Sequence, residues 1–507
     1  MTALIIIACY MAVLLGLGVG ANRLFRGTSL DYLLASHSIG PFLLLMSLFG
    51  TTMTAFSLVG STGEAYKSGM GVYGLMASSS ALLHPLCFFV VGLKVWSLGK
   101  KHGYSTQIEF FRDRLESERF GWVLFPVAVG LIVPYVLIGI LGGGATINAI
   151  SRGVFETAFA EFNHGIPPWL GSLIICGVVL TYVFMGGMRG TAWANAFQTS
   201  VFMILGVLTF FVLVKGIGGK ESFFESLQAA SEAVAEDKRS RSAMPHSLYF
   251  VFLLIPFSIG MFPHIFQHWL TARDANAFRL PIVAHPLFVM VVWAPCVLIG
   301  MWASAPSAGI PETLPDKAIL GFLVSHHSSE VLAGLLTAGV LAAIMSSLDS
   351  QFLCLGTMFT KDVLRRKSDA DDHQTVLLAR SFVVGVVTVC YLLSLVAPSG
   401  VFNLGVWCFS GFSALFPLIV AALYWRGLTK PGAYAAVLTT AGCWAYLFWQ
   451  ADFAANARYR FLGLHPIIVL CAASTAMMVI VSLLTRRPSD ATLAKFFPES
   501  NAVASED

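Results

Sequence analysis

Thirteen apolar stretches, most of them near 20 residues or longer, alternate with polar connections along the chain. An α-helix rises about 1.5 Å per residue, so about 20 apolar residues cross the hydrocarbon of a bilayer. The pattern predicts spans near 3–21, 41–66, 71–97, 121–150, 168–186, 191–217 and 246–270, then near 280–304, 331–359, 375–396, 401–425, 431–450 and 463–485. The connections at 218–245 and 305–330 are polar enough for surface loops or short surface helices. The expected fold class is an all-α polytopic membrane protein.

Two of these spans are interrupted. Ser47-Leu-Phe-Gly50-Thr51-Thr52-Met53-Thr54 sets a glycine and three threonines in mid-span, and Pro256, Ser258, Gly260 and Pro263 interrupt 246–270. A broken helix frees carbonyl and N–H groups that cannot stay unpaired in lipid, so they must face protein, ion or solute. Breaks at matching places in two halves point to a transporter site at the bilayer midplane. The implied halves span 41–217 and 246–425, with 1–40 as an extra helix and connection, 218–245 as an extracellular loop, 426–487 as two C-terminal helices and 488–507 as a cytoplasmic tail. Gly and Pro also mark simple kinks or close packing in membrane helices, and the pattern alone leaves that reading open.

Composition and charge sharpen this picture. Apolar residues make up 57% of the 507 positions and charged ones 11%, against about 25% in soluble domains. The net charge of +4 and the lack of a long basic run give no nucleic-acid surface. With the N-terminus outside and thirteen crossings, 21 of the 31 Lys and Arg residues fall on the C-terminal side and 10 on the other. Lys94–Arg119 and the cluster Lys361, Arg365, Arg366, Lys367 then both lie in the cytoplasm, as the positive-inside rule requires. The first apolar run has Arg23 and Arg26 after it and no positive region before it, which predicts a retained helix in a multi-pass cell-membrane protein. The nine cysteines sit in apolar stretches at irregular spacing, a pattern of small apolar residues rather than of disulfides or a zinc site.

Candidate chemistry concentrates in Ala342-Ala343-Ile344-Met345-Ser346-Ser347-Leu348-Asp349-Ser350. Ala343, Ser346 and Ser347 stand at i, i+3 and i+4 and share a helix face. Two hydroxyls with a carbonyl one turn earlier offer hard oxygen ligands to a small alkali cation, and carbonyls freed at Gly50 and Met53 could complete the shell. Close helix packing, with each Ser bonded to a carbonyl of its own helix, fits the same spacing. A carboxylate in mid-span costs roughly 2.5–3.5 kcal/mol, so Asp349 needs a partner: Arg380, a second ion or a proton.

Four stretches carry a resemblance over nearly the whole chain, from Asp31-Tyr32-Leu33-Leu34 to about Arg487: "SLFGTTMTAFSLVGSTGEAYKSGMG" at 47–71, "GGMRGTAWANAFQ" at 186–198, "AAIMSSLDSQFL" at 342–353 and "TMFTKD" at 357–362. On these motifs the chain resembles the sodium:solute symporter family. The resemblance implies a LeuT-type fold with two inverted five-helix repeats, one helix before and two after. It also implies a sodium ion held by the carbonyls of Gly50, Met53 and Ala343 and the hydroxyls of Ser346 and Ser347. Many members read W-T-D-x-x-Q where this chain reads Trp193-Ala194-Asn195-Ala196-Phe197-Gln198. An amide thus replaces the carboxylate tied to a second sodium, while Asp349 and Ser350 sit in the other share of that second site. One sodium per solute is the expected stoichiometry, and Asp349, Ser350 and Asn195 are the candidates for a second ion or a proton.

The sugar carriers of that family surround their ligand with Glu and Gln, whereas this chain has Ser57 at one such position and no carboxylate in 71–97. Ala65-Tyr66-Lys67, Phe262-Pro263-His264, Leu423-Tyr424-Trp425 and Phe461-Leu-Gly-Leu-His465-Pro466 instead resemble the pantothenate permease and monocarboxylate-carrier branch. The expected solute is a small carboxylate. Donors for it would be N–H groups near Thr51–Thr54, the hydroxyls of Thr52 and Thr54, and His264, with Ser57 nearby and Phe56, Trp407 and Phe409 as walls or gates. The twelve histidines do not cluster as a catalytic site, and His326-His327 reads as a solvated loop pair, so an enzyme is not expected. One long chain with broken helices also disfavours an oligomeric pore. The competing readings are a proton-coupled symporter using Asp349 and a sugar or amino-acid symporter of the same family. No protein partner is implied beyond the solute and the surrounding lipid.

Overall fold

The computed structural model describes residues 1–22, 37–242, 244–364, 372–396 and 400–498. Arg23, Arg26, the 31–34 stretch and Arg365–Lys367, all used in the sequence reading, lie outside the described residues. The described chain is a bundle of helices with no β-strand. Ten helices are long and apolar enough to cross a membrane, and two bent pairs bring the number to twelve. The thirteenth expected span, 431–450, forms as the helix Lys430–Gln450 but is not among those twelve. Its Gly and Thr residues dilute the apolar character that crossing requires.

Helix α1 (Thr2–Asn22) lies at the edge of the bundle, against the Pro168–Gly218 and Glu330–Met358 regions. The broken first span follows, with α2 (Pro41–Thr52) bent by 52° from Phe56–Ser68. Next come α3 (Ala77–Cys87) and α4 (Phe120–Ser151). Helices α5 (Pro168–Met188) and α6 (Gly190–Gly218) meet at Gly187, whose φ of 54° and ψ of −157° are open to glycine and strained for other residues. The second broken span bends by 49° before α7 (Pro263–Thr271), followed by α8 (Arg279–Ala303), α9 (Glu330–Met358) and α10 (Val401–Tyr424).

Burial separates the helices by role. In α9 and α10, 83% of the most apolar window is buried in protein, against 28% in α1 and 22% in Val376–Val396. The first pair is therefore the core on which a site can be built, and the second faces lipid. Residues 218–245 and 305–330 carry short helices, including Phe223–Glu232 and Ile319–His327, in keeping with their polar composition. His326 and His327 end the second of these; His327 packs against Gly216 rather than standing fully in solvent.

Candidate functional site

The hydrogen-bond ladder of α2 ends where the Met53 N–H meets the Phe49 carbonyl at 3.0 Å. Met53 then turns extended, with φ −87° and ψ 101°. The ladder resumes with the Ser57 and Leu58 N–H groups on the Thr54 carbonyl, at 3.0 and 3.2 Å. The carbonyls of Gly50 to Met53 thus lie outside both ladders, and these are the groups a cation can claim. The Thr54 hydroxyl accepts the Phe56 N–H at 3.0 Å and caps the resumed helix, while the Thr52 hydroxyl donates to the Phe49 carbonyl at 2.9 Å. Thr51 is fully buried, and its hydroxyl has no hydrogen-bond partner among the described residues.

Helix α9 crosses behind this break. A Cβ on Gly50 would stand 2.5 Å from the Ser346 Oγ and 2.6 Å from the Thr199 Oγ1, so only glycine lets the helices approach this closely. Ser346, Ser347 and Ala343 are all fully buried. The Ser347 hydroxyl donates to the Ile344 carbonyl at 3.1 Å, which leaves its lone pairs available. Gly50, Met53, Ala343, Ser346 and Ser347 therefore belong to two facing segments, one with freed carbonyls and one with paired hydroxyls. Hard oxygens of this kind suit a sodium ion.

A second polar group adjoins the first on α9. The Tyr182 hydroxyl donates to the Asp349 Oδ2 at 3.0 Å, and the Ser350 Oγ stands 3.1 Å from Oδ1. With its NH2 turned toward the carboxylate, Asn195 donates to both Asp349 oxygens at 3.0 and 3.1 Å and stands 2.8 Å from the Ser346 Oγ. Asp349, Ser350 and Asn195 are thus brought together beside the serine hydroxyls. Two further residues, which the sequence reading did not single out, extend the group: Gln198 donates to the Tyr182 hydroxyl at 3.3 Å, and the His268 Nε2 stands 3.1 Å from the Ser350 Oγ. The expected Arg380 ion pair is corrected. Arg380 donates to the Phe184 carbonyl and sits over the Phe184 ring, while the Asp349 carboxylate takes neutral donors from α5, α6 and its own helix.

The second break faces the first across a cavity. Met261 and Phe262 N–H groups close on the Ser258 carbonyl at 2.9 and 3.0 Å, and the Met261 carbonyl accepts from Gln107 Nε2 at 3.1 Å. Pro263, in the first turn of α7, lacks the N–H that would need a partner there. Between the two breaks lies a narrow cavity of about 30 Å³. Its aromatic walls are Phe56, Tyr135, Phe262, Trp293 and Phe409. Phe56 and Phe409 meet edge to face at 4.8 Å, and Tyr135 stacks on Phe262 at 5.2 Å. The polar lining consists of Thr52, Ser57, Ser80, His84 and Ser258. Among the described residues that line it there is no Lys, Arg, Asp or Glu.

Of the expected solute residues, Thr52, Phe56, Ser57 and Phe409 line this cavity, while Thr51 and Thr54 lie in the break beside it. His264 stands one layer behind, stacked on Phe262 at 5.0 Å and near Tyr135 at 5.7 Å, with neither ring nitrogen bonded among the described residues. Trp407 lines a different pocket, with Ser410, Tyr459, Arg460 and His465. Ser80, His84, Tyr135 and Trp293 carry no signal in the sequence that marks them for this cavity. Pro256 and Ser258 had drawn attention only as a helix break, and no spacing rule joins α3, α4 and α8 to that break.

The profile of the sodium:solute symporter family matches residues 32–440. The sodium/proline symporters of Staphylococcus aureus strains JH9 and NCTC 8325 / PS 47 are each 26% identical over 506 residues, covering 96% of this chain and 93% of theirs. Among solved structures, a substrate-bound, outward-open Na⁺-coupled sialic acid symporter superposes with a TM-score of 0.73 at 17% identity, covering 96% of this chain and 99% of that one. Mhp1, a nucleobase-cation-symport-1 family transporter in a closed conformation with bromovinylhydantoin bound, gives 0.58 at 15% identity, covering 92% and 97%. These likenesses establish the LeuT-type fold that the two broken helices announce. The profile match spans most of the sequence, so the chain belongs to the sodium:solute symporter family and is a sodium-coupled membrane transporter.

Proposed function

We propose that this symporter carries a small carboxylate-bearing solute together with one sodium ion by alternating access. The observation that carries the reading is the placement of the two breaks. They face each other across the cavity, and the serine hydroxyls of α9 stand directly behind the first break. Sodium would bind to the carbonyls of Gly50, Met53 and Ala343 and the hydroxyls of Ser346 and Ser347. It would tie the first break to α9 and set the cavity wall that the solute meets. Asp349, Ser350 and Asn195 would hold a second ion or a proton, and the N-terminus would lie outside the cell.

The test uses the purified full-length protein. Sodium against potassium at constant ionic strength should stabilise it by RT ln(1 + [Na⁺]/Kd), roughly 1.4 kcal/mol at tenfold over Kd. Ser346→Ala/Ser347→Ala should abolish that shift. Proteoliposomes then report uptake of radiolabelled lactate, pyruvate and L-proline under inward sodium or proton gradients. Uptake of L-proline without lactate or pyruvate would favour the amino-acid reading, to which the sodium/proline symporters of Staphylococcus aureus lend weight. Uptake under a proton gradient alone, lost in Asp349→Asn, would favour proton coupling.

A further inference from the structure

A histidine pair at the cavity wall offers a recognition element that the motifs do not announce. His84 on α3 lines the cavity, and its Nδ1 stands 3.1 Å from the Nε2 of His285 on α8. With Nδ1 engaged, Nε2 is the ring nitrogen that His84 has left for the cavity. His285 is fully buried, edge-on to Phe49 at 5.5 Å and Phe88 at 5.0 Å. Its own Nδ1 has no hydrogen-bond partner among the described residues.

That unpartnered nitrogen fixes the direction of the pair. A neutral imidazole carries one proton, on either nitrogen, and the other nitrogen is an acceptor. A buried N–H without a partner is rarer in proteins than an under-used acceptor. His285 therefore keeps Nδ1 bare and its proton on Nε2, which donates to the His84 Nδ1. His84 must then carry its proton on Nε2, facing the cavity. The other polar groups there include the hydroxyls of Thr52, Ser57, Ser80 and Ser258, which can donate or accept.

We propose that His84 is a solute-binding residue that presents a fixed N–H donor to a carboxylate oxygen of the solute, and that His285 is the positioning residue holding it in that tautomer. The hydroxyls of Ser57, Ser80 and Ser258 complete the recognition, since they adapt to whichever group the donor leaves. An ammonium group, a donor itself, is turned away from the His84 end of the cavity. The solute chemistry rests on the carboxylate reading above, whereas the tautomer rests on the buried pair alone.

Two measurements separate the claims. In the first, ¹⁵N spectra of the histidine-labelled full-length protein, assigned by loss of signal in His84→Phe and His285→Phe, report which nitrogen is protonated. The expected result is a proton on Nε2 in both rings; a proton on the His84 Nδ1 overturns the proposal. In the second, the carboxylate that the wild type takes up in proteoliposomes is compared with its primary amide as a competitor. His84→Phe and His84→Asn should raise KM for the acid roughly tenfold or more, as expected for losing a hydrogen bond to a charged group. His84→Gln, whose amide reaches the Nε2 position, should recover most of it. His285→Phe should raise KM with little change in kcat, and His285→Gln should restore it. The penalties of His84→Phe and of the amide should not add, because both remove the same contact. A wild-type KM in His84→Phe, with the sodium-induced stabilisation intact as proof of folding, overturns the proposal. Failure of the wild type to carry any of the three probes overturns the carboxylate reading, while the tautomer measurement still decides the His84 donor.

Discussion

At Gly50, a single missing side chain lets the broken first span approach the serine hydroxyls of α9 closely. A methyl group there would stand 2.5 Å from the Ser346 Oγ. Gly50→Ala is expected to destabilise the protein by about 1–3 kcal/mol through overpacking and to remove the sodium-specific thermal shift. Sodium titration of the melting temperature checks both at once. Asp349 makes a different case. Its oxygens are served by neutral donors, so Asp349→Asn should fold, and Tyr182→Phe should cost about 1–3 kcal/mol by removing one buried donor. The serines and Asp349 were legible because they share one helix and one spacing. His84 was not, because nothing in the sequence around it indicates a partner some 200 positions away.

Among the elements, the spans themselves were legible because hydrocarbon demands uninterrupted apolar length, and the two breaks because glycine, threonine and proline interrupt it. The join between α5 and α6 was legible only as a gap between apolar runs. Its mechanism is the positive φ of Gly187. Gly187→Ala should therefore lower stability by roughly 1–2 kcal/mol without altering the sodium shift, as thermal melts with and without sodium would show. The short C-terminal helix, Asp490–Phe496, lies in the stretch whose composition marks only a tail. It docks on the Gln107–Arg114 helix through Ser489 to Glu116 and Lys495 to Asp113. Hydrogen bonds from Ser489 and Thr492 hold the Glu116 carboxyl below its ordinary range. A depressed carboxyl stabilises the docked form above its ordinary range and loses that contribution as pH falls through its folded value. Acidification should thus loosen this helix before the bundle, and Glu116→Gln should do so at neutral pH. Hydrogen exchange of 489–496 reports either change.

On the scale of the whole molecule, the proposed sodium ligands and the cavity sit on opposite sides of one break. An ion that favours one arrangement of that break shifts the carrier only by its difference in affinity for the two arrangements. A cysteine placed at Ser80, on the cavity wall, should lose reactivity when sodium and solute are added together, and less with sodium alone; alkylation rates measure this. The cavity as a whole could not be read in advance, because its lining is drawn from the two breaks and from α3, α4, α8 and α10. Its size and polarity are properties of how those helices meet.

The absence of fixed charge among the described residues lining the cavity has an electrical consequence. With nothing on the wall to neutralise the cargo, the charge that crosses the membrane is the charge the passengers bring. One sodium with a monoanion sums to zero, and the loaded step ignores the membrane voltage. One sodium with a zwitterion moves a full positive charge, worth about 2.3 kcal/mol per 100 mV. The current that accompanies uptake would therefore reveal the class of solute before its identity is known.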